Sequence, residues 1–146
     1  MPQPLYWIGV ASKAHVIKGV EGGFCQLCHG KKSAILRLNP GDWIVYYSPR
    51  QAMKAGDVIQ AFTALGQVLS GDPYPVKMSD DFVPYRRNVK FKFVQEAAIK
   101  PLLPQLSFIK HKTAWGIVFR AGLIEIPEVD FQHIAKAMDV VPLIPA

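Results

Sequence analysis

The sequence has few cysteines, no long apolar run and no recognisable export signal, and each absence excludes a class of protein. Two cysteines in 146 residues are too few for the disulfide framework of a small secreted domain. No stretch approaches the ~20 apolar residues that span a bilayer. Met1 to Pro4 contain no basic residue, and the apolar run Leu5–Ala11 is too short for a signal peptide. We therefore expect a cytoplasmic protein with reduced thiols and no membrane partner.

The composition is that of one folded domain with an uneven charge. Half of the residues are hydrophobic and 19% are charged, so residues 1–146 can form a single domain with a real core. Residues 1–120 contain 16 basic and 7 acidic residues (16 − 7 = +9), whereas residues 121–146 contain 1 and 4 (1 − 4 = −3). This asymmetry favours a polyanionic partner for the larger part, although a solvated basic surface would have the same composition.

The hydrophobic pattern predicts several strands with short helices between them. Gly19 is expected to end the first helix, Ser48-Pro49 to end the second strand, and Gly66 to form a bulge. Because the helices are too few and too short for repeated βαβ units, we expect an α+β, barrel-like domain rather than a parallel sheet. The predicted strands are 5–11, 43–47, 58–69, 89–94 and 123–126, and the predicted helices are 13–18, 33–38 and 127–138.

The segment Cys25-Gln26-Leu27-Cys28-His29 matches the pattern for c-type haem attachment. Haem attachment normally follows export, for which the sequence has no signal, so we expect no haem. A structural zinc site commonly uses two separated ligand pairs, and here a second pair is missing; His15 is the nearest other candidate. We therefore predict no cofactor and no metal, and a glycine-flanked loop whose thiols are packed or partly exposed.

No constellation of residues indicates catalysis. Glu128 and Asp130 lie in the first turn of a predicted helix, where acids are favoured by the helix dipole. The glycines of 19–23 match neither a P-loop nor a dinucleotide fingerprint. No residue stands out as nucleophile or base, and we predict a protein that is not an enzyme.

An ordered set of short motifs covers nearly the whole chain and resembles the EVE domain family. The quoted pieces are Tyr6-Trp7-Ile8, Ser12-Lys13, His15-Val16, Gly19-Val20, Gly22-Gly23-Phe24, Gln26, His29-Gly30-Lys31, Gly41-Asp42-Trp43, Tyr46-Tyr47-Ser48-Pro49, Phe62-Thr63, Arg86-Arg87, Leu106-Ser107-Phe108-Ile109-Lys110, Trp115-Gly116, Arg120 and Gly122-Leu123. The resemblance implies a stand-alone bacterial-type member with a PUA-like fold, related to the YTH domains. That fold is a small, strongly curved mixed β-barrel surrounded by short helices, with a C-terminal helix. The implied role is non-catalytic binding of a modified base, methylated or hydroxymethylated, in DNA or RNA. No catalytic residues transfer from the family, and many of its bacterial members have no assigned function.

Enclosing such a base requires aromatic faces, small polar groups and a basic rim. Three segments contain these residue types: 12–24, 46–48 and 82–87. Of the two adjacent tyrosines we favour the second, because it adjoins a strand end. The predicted base-binding residues are Ser12, His15, Gly22, Gly23, Phe24, Tyr47, Ser48, Phe82 and Tyr85. The predicted phosphate-binding residues are Arg86, Arg87, Lys31, Lys32 and Arg50.

Two other classes of function fit the same sequence. A small-molecule-binding or enzymatic domain would use the same pocket, and a protein–protein adaptor would use the basic face to meet an acidic partner. Salt-dependent binding to nucleic acid with preference for one modification distinguishes a base-binding module from both.

Overall fold

The computed structural model describes residues 3–52 and 55–140. The strands are β1 (Tyr6–Val10), β2 (Phe24–Cys25), β3 (Trp43–Ala52), β4 (Ala55–Val68), β5 (Tyr74–Pro75), β6 (Tyr85–Phe91), β7 (Ala97–Ala98) and β8 (Leu123–Ile126). The α-helices are α1 (Lys13–Gly22), α2 (Lys32–Ile35) and α3 (Glu128–Ala137). Three 3₁₀ helices cover Cys28–Gly30, Lys100–Gln105 and Trp115–Ala121.

The strands form one mixed sheet in the order β2-β6-β4-β3-β1-β8, with β5 paired to β6 and β7 paired to β4. Only the β1–β3 pairing is parallel in the described sheet, and α1, β2 and α2 make the crossover between these strands. The sheet curls into a half-barrel, with few short helices and α3 at its C-terminal end. The predicted α+β fold is therefore confirmed, and the small number of connecting helices is the feature that allowed the prediction.

Each face of the central strand packs into a different core. Trp43, Val45 and Tyr47 of β3 lie in a first core that includes α3 and two of the 3₁₀ helices. The intervening Ile44 and Tyr46 lie in a second core beneath α2 and β6. Side chains alternate between the two faces of a strand, so both tyrosines are buried because both faces of the sheet are covered.

The predicted ends of α1 and β3 were wrong. The helix α1 continues past Gly19 to Gly22 and is capped by Gly23, whose φ of 72° is the left-handed conformation that glycine adopts most readily. The strand β3 continues through Ser48-Pro49 to Ala52. Proline has no backbone N–H to donate to a neighbouring strand, so within a sheet it is tolerated where the strand pairing is irregular. Pro49 lies at such a place, because the β3–β4 register shifts between Ser48 and Arg50.

The bulge predicted at Gly66 is located elsewhere. The register shift near the middle of the β3–β4 pair falls between Tyr46, opposite Ala64, and Tyr47, opposite Phe62, so the extra residue is Thr63. Gly66 serves close packing instead: a Cβ there would lie 2.6 Å from Cγ1 of Val89 on β6. The glycine is therefore required by the approach of β6 to β4.

Candidate functional site

A cleft of about 800 Å³ opens where the end of β1 meets the crossover segment. The crossover contributes the start of α1, and three further segments complete the cleft: the end of β3, the turn before β6, and the segment before β8. The residues that line the cleft are Val10, Ala11, Ser12, His15, Gln26, Cys28, His29, Lys31, Ser33, Ala34, Arg37, Pro49, Arg50, Ala52, Phe82, Arg120, Ala121 and Gly122.

The charge of the cleft has one sign. Lys31, Arg37, Arg50 and Arg120 line it, and among the described lining residues there is no Asp or Glu. Apolar side chains, including the 41% exposed ring of Phe82, make up much of the remaining wall. An apolar wall with a few polar groups and several cations suits a flat, partly apolar ligand that carries negative charge.

Ser12 and His15 are placed by the start of α1. Ser12 is the N-cap residue, and its Oγ accepts a hydrogen bond from the backbone N–H of His15 at 3.3 Å. The His15 ring reaches across to the Gln26 carbonyl, with 3.0 Å between Nε2 and the oxygen. A carbonyl can only accept, so Nε2 carries the proton and Nδ1 is the acceptor of the neutral ring.

Five of the predicted ligand-binding residues line the cleft, and they come from distant parts of the chain: Ser12, His15, Lys31, Arg50 and Phe82. The other predicted residues lie outside it: Gly22, Gly23, Phe24, Tyr47, Ser48, Tyr85, Lys32, Arg86 and Arg87.

Three of these outlying residues are buried. Tyr47 stacks on Phe119 with ring centroids 4.3 Å apart. Ser48 is fully buried and shares a 2.8 Å hydrogen bond with the hydroxyl of Thr63. Arg87 is 5% exposed, and its Nη2 donates to the Leu69 carbonyl at 3.4 Å. Side chains enclosed in this way do not reach a ligand in the cleft. We therefore propose no ligand contact for these three residues.

Two aromatic residues outside the cleft hold cations. The guanidinium carbon of Arg86 lies 4.0 Å from the centroid of the Phe24 ring. The ammonium of Lys32 lies 5.3 Å from the centroid of the Tyr85 ring, and this tyrosine is half-buried against the second core. Phe24 and Tyr85 therefore each have a cationic partner within the protein.

The sequence prediction missed several cleft residues, among them Gln26, His29, Arg37 and Arg120. Gln26, His29 and Arg120 lie within the motifs that carry the family resemblance, which was the available signal. Arg37 has no such signal: it belongs to none of the quoted motifs and lies two residues after α2, which ends at Ile35.

The two cysteines of the haem-like segment face different environments. Cys25 is fully buried in the second core, and burial raises the pKa of its thiol to about 12. Cys28 is half-buried and lines the cleft. Within residues 3–52 and 55–140 no group of three or more His, Cys, Asp or Glu side chains could hold a metal ion. No helix in those ranges is long and apolar enough to cross a membrane.

We expect the burial of His15 to make folding stability depend on pH. Burial lowers its pKa, and the nearby charges of Arg86, Lys18 and His29 lower it further, while the Gln26 carbonyl opposes them. The unfolded chain then binds the proton more readily than the folded one. Stability is therefore complete above the unfolded pKa of about 6.5 and falls as the pH drops below it.

Urea unfolding at pH 7.5, 6.5 and 5.5 measures this loss. His15→Gln keeps a donor for the Gln26 carbonyl and should reduce the loss relative to the native chain. His111→Gln, at an exposed position outside the cleft, is the matched control and should leave the loss unchanged. An equal loss in the native chain and the His15 variant would contradict the assignment.

Comparison with solved structures defines the class of domain. A protein from Rhodopseudomonas palustris, Rpa0253, superposes with a TM-score of 0.55 and 12% identity over 94% of each chain. Atu2648 from Agrobacterium tumefaciens gives a TM-score of 0.54 and 11% identity over 90% of this chain and 91% of the other. At such identities the likeness shows the fold alone: a small α+β domain with a curled mixed sheet.

The family model described as EVE domain matches residues 5–137, and the chain belongs to the EVE domain family. This family is PUA-like, often binds nucleic acid, and is generally non-catalytic. A UPF0310 protein of Bacillus licheniformis is 51% identical over 127 residues, covering 87% of this chain and 86% of its own. UPF0310 protein YdcG of Bacillus subtilis is 44% identical over 135 residues, covering 92% of each chain.

Proposed function

We propose that the cleft binds a single modified nucleobase of DNA or RNA and that its cations bind the flanking phosphates. The observation that carries this proposal is the composition of the cleft wall: four Lys and Arg side chains, two histidines and no described acid around an apolar surface. Backbone phosphates require cations, and the face of a base requires apolar or aromatic contact.

The dimensions of the cleft and the position of its aromatic ring agree with this ligand. About 800 Å³ lies within the range of cavities that enclose small organic molecules, so the cleft has room for a base with its sugar. Removing a base from its stack costs a few kcal/mol, and stacking on an aromatic side chain returns ~1–3 kcal/mol. Phe82 is exposed at the cleft and can supply this contact.

Binding of purified protein to fluorescent oligonucleotides tests the proposal. The matched set contains unmodified cytosine and adenine, methylated and hydroxymethylated cytosine, and methylated adenine, in single and double strands at two salt concentrations. We expect one modification to bind at least about tenfold more tightly than its unmodified counterpart, which corresponds to about 1.4 kcal/mol. Weak binding without preference would instead assign the cations to a nonspecific surface, and a complete lack of binding would favour a free small molecule or an acidic protein partner.

A further inference from the structure

Gln26 lines the cleft, and its backbone is fixed by hydrogen bonds to the side chains of His15 and Tyr46. Its carbonyl oxygen accepts from His15 Nε2 at 3.0 Å and from the Tyr46 hydroxyl at 3.4 Å. Its backbone N–H donates to the same hydroxyl oxygen at 3.3 Å. Tyr46 is 1% exposed in the second core, so the position of Gln26 is tied directly to that core.

The side chain of Gln26 is oriented by Arg86. The Nε of Arg86 donates to Oε1 of Gln26 at 3.0 Å. A guanidinium can only donate, so the carboxamide must present its oxygen to Arg86 and leave its NH₂ group as a donor. None of the hydrogen bonds among the described residues uses this NH₂ group, and Gln26 is one of the residues that line the cleft.

Arg86 is itself held by contacts outside the cleft. Its guanidinium stacks on Phe24, and Nη2 lies 3.5 Å from the sulfur of Met78. The Phe24 ring packs against Gly22 so closely that a Cβ on that glycine would lie 2.5 Å from ring atom Cε2. Phe24, Arg86 and Gln26 thus form a chain of contacts that ends at the cleft.

We propose that Gln26 is a specificity-determining residue, whose NH₂ group donates to an acceptor on the edge of the bound base, with Arg86 and Phe24 as positioning residues. The acceptor class is a ring nitrogen or a carbonyl oxygen of the base. Nδ1 of neutral His15 adds an acceptor to the same wall, so the cleft can satisfy both kinds of polar group on a base edge. This inference rests on the proposed function and assigns Arg86 a different role from phosphate binding.

Oligonucleotides that contain the preferred base, and matched ones with an abasic site at that position, separate the two roles. Gln26→Ala should weaken binding to the base-containing strand about tenfold, the effect of one lost hydrogen bond, and leave the abasic strand unchanged. Arg86→Lys keeps the charge but removes the Nε donor and the planar stack on Phe24. We therefore expect a smaller loss of affinity, again confined to the base-containing strand. The slope of binding against salt should stay the same in both variants.

A direct phosphate contact by Arg86 gives the opposite pattern. Arg86→Ala would then weaken both strands equally and reduce the salt slope by about one, and this result would overturn the inference. Phe24→Leu preserves bulk without the aromatic face, and it should reproduce the effect of Arg86→Lys. Thermal unfolding of each variant shows whether the fold is retained.

Nuclear magnetic resonance of ¹⁵N-labelled protein tests the positioning without any ligand. The Gln26 side-chain NH₂ signal, assigned by its loss in Gln26→Glu, should shift in Arg86→Lys. It should also shift in the native chain on addition of the preferred modified nucleoside. If the native protein shows no base preference, the proposed function fails. If the preference exists but Gln26→Ala and Arg86→Lys both bind the base-containing strand as tightly as the native chain does, this inference alone fails.

Discussion

Replacement of Tyr47 by alanine is expected to lower the free energy of unfolding by about 3–5 kcal/mol, the range for removing a buried aromatic ring. Tyr47 is 3% exposed. Its ring stacks on Phe119 at 4.3 Å and meets Phe62 edge-on at 5.7 Å and Trp115 edge-on at 6.4 Å. The substitution therefore leaves a cavity in the first core and removes three aromatic contacts. Thermal and urea unfolding measure the loss, which for a chain of this length corresponds to roughly 10 °C or more in Tm.

Tyr47→Phe is the control for that substitution. Burial raises the pKa of the Tyr47 hydroxyl to about 12, and within the described residues this hydroxyl makes no hydrogen bond. Phenylalanine therefore fills the same volume at little cost, and stability and ligand binding should stay close to those of the native chain. The opposite result would be a Tyr47→Ala protein with native stability and no ligand binding. It would support the prediction from sequence that Tyr47 contacts the ligand.

Removal of three cleft cations is expected to have the largest effect on function. Lys31, Arg50 and Arg120 are exposed at the cleft and come from three separate segments. If each contacts a phosphate, the combined alanine variant should lose at least about a hundredfold in affinity at 0.15 M salt, at roughly 1–2 kcal/mol per contact. The slope of log affinity against log salt should fall by about two to three, because fewer counterions are released.

A charge-matched variant provides the control for this experiment. Lys90, Lys100 and Lys110 are exposed and lie outside the cleft, so changing all three to alanine alters the net charge by the same amount. This variant should lose affinity only slightly. Equal losses in the two triple variants would show that overall charge, rather than the cleft, attracts the nucleic acid, and would remove the cleft from the proposed function.

Only some of the predicted site residues line the cleft, and a local sequence pattern accounts for two of these. Ser12 and His15 could be placed because a strand followed by a capped helix start is a local pattern, and local patterns fix the neighbourhood of a residue. Phe24 and Arg86 were predicted to contact a base and a phosphate, whereas in the structure they contact each other. Sixty-two positions separate them (86 − 24), and only the pairing of β2 with β6 brings them together.

The burial of Tyr47 could not be predicted from the sequence either. Strand alternation places Tyr46 and Tyr47 on opposite faces, but alternation does not say what covers each face. Here α3 and the 3₁₀ helices cover one face, and α1, α2 and β6 cover the other, so neither tyrosine is available to a ligand. These covering segments lie outside β3 itself, and α3 is more than eighty positions away from the tyrosines (128 − 47 = 81).

By itself the sequence determined the α+β class, the principal strands and α3, the excess of positive charge, and the family to which the chain belongs. These properties depend on composition, on periodicity within short windows and on an ordered set of motifs. The tertiary structure decided which cations face one cleft, which aromatic rings are buried, and that Gln26 rather than Phe24 or Arg86 lies at the cleft wall. The physical reason is that the cleft is built from segments up to 112 residues apart (122 − 10), joined by sheet pairing and by the packing of helices on both faces.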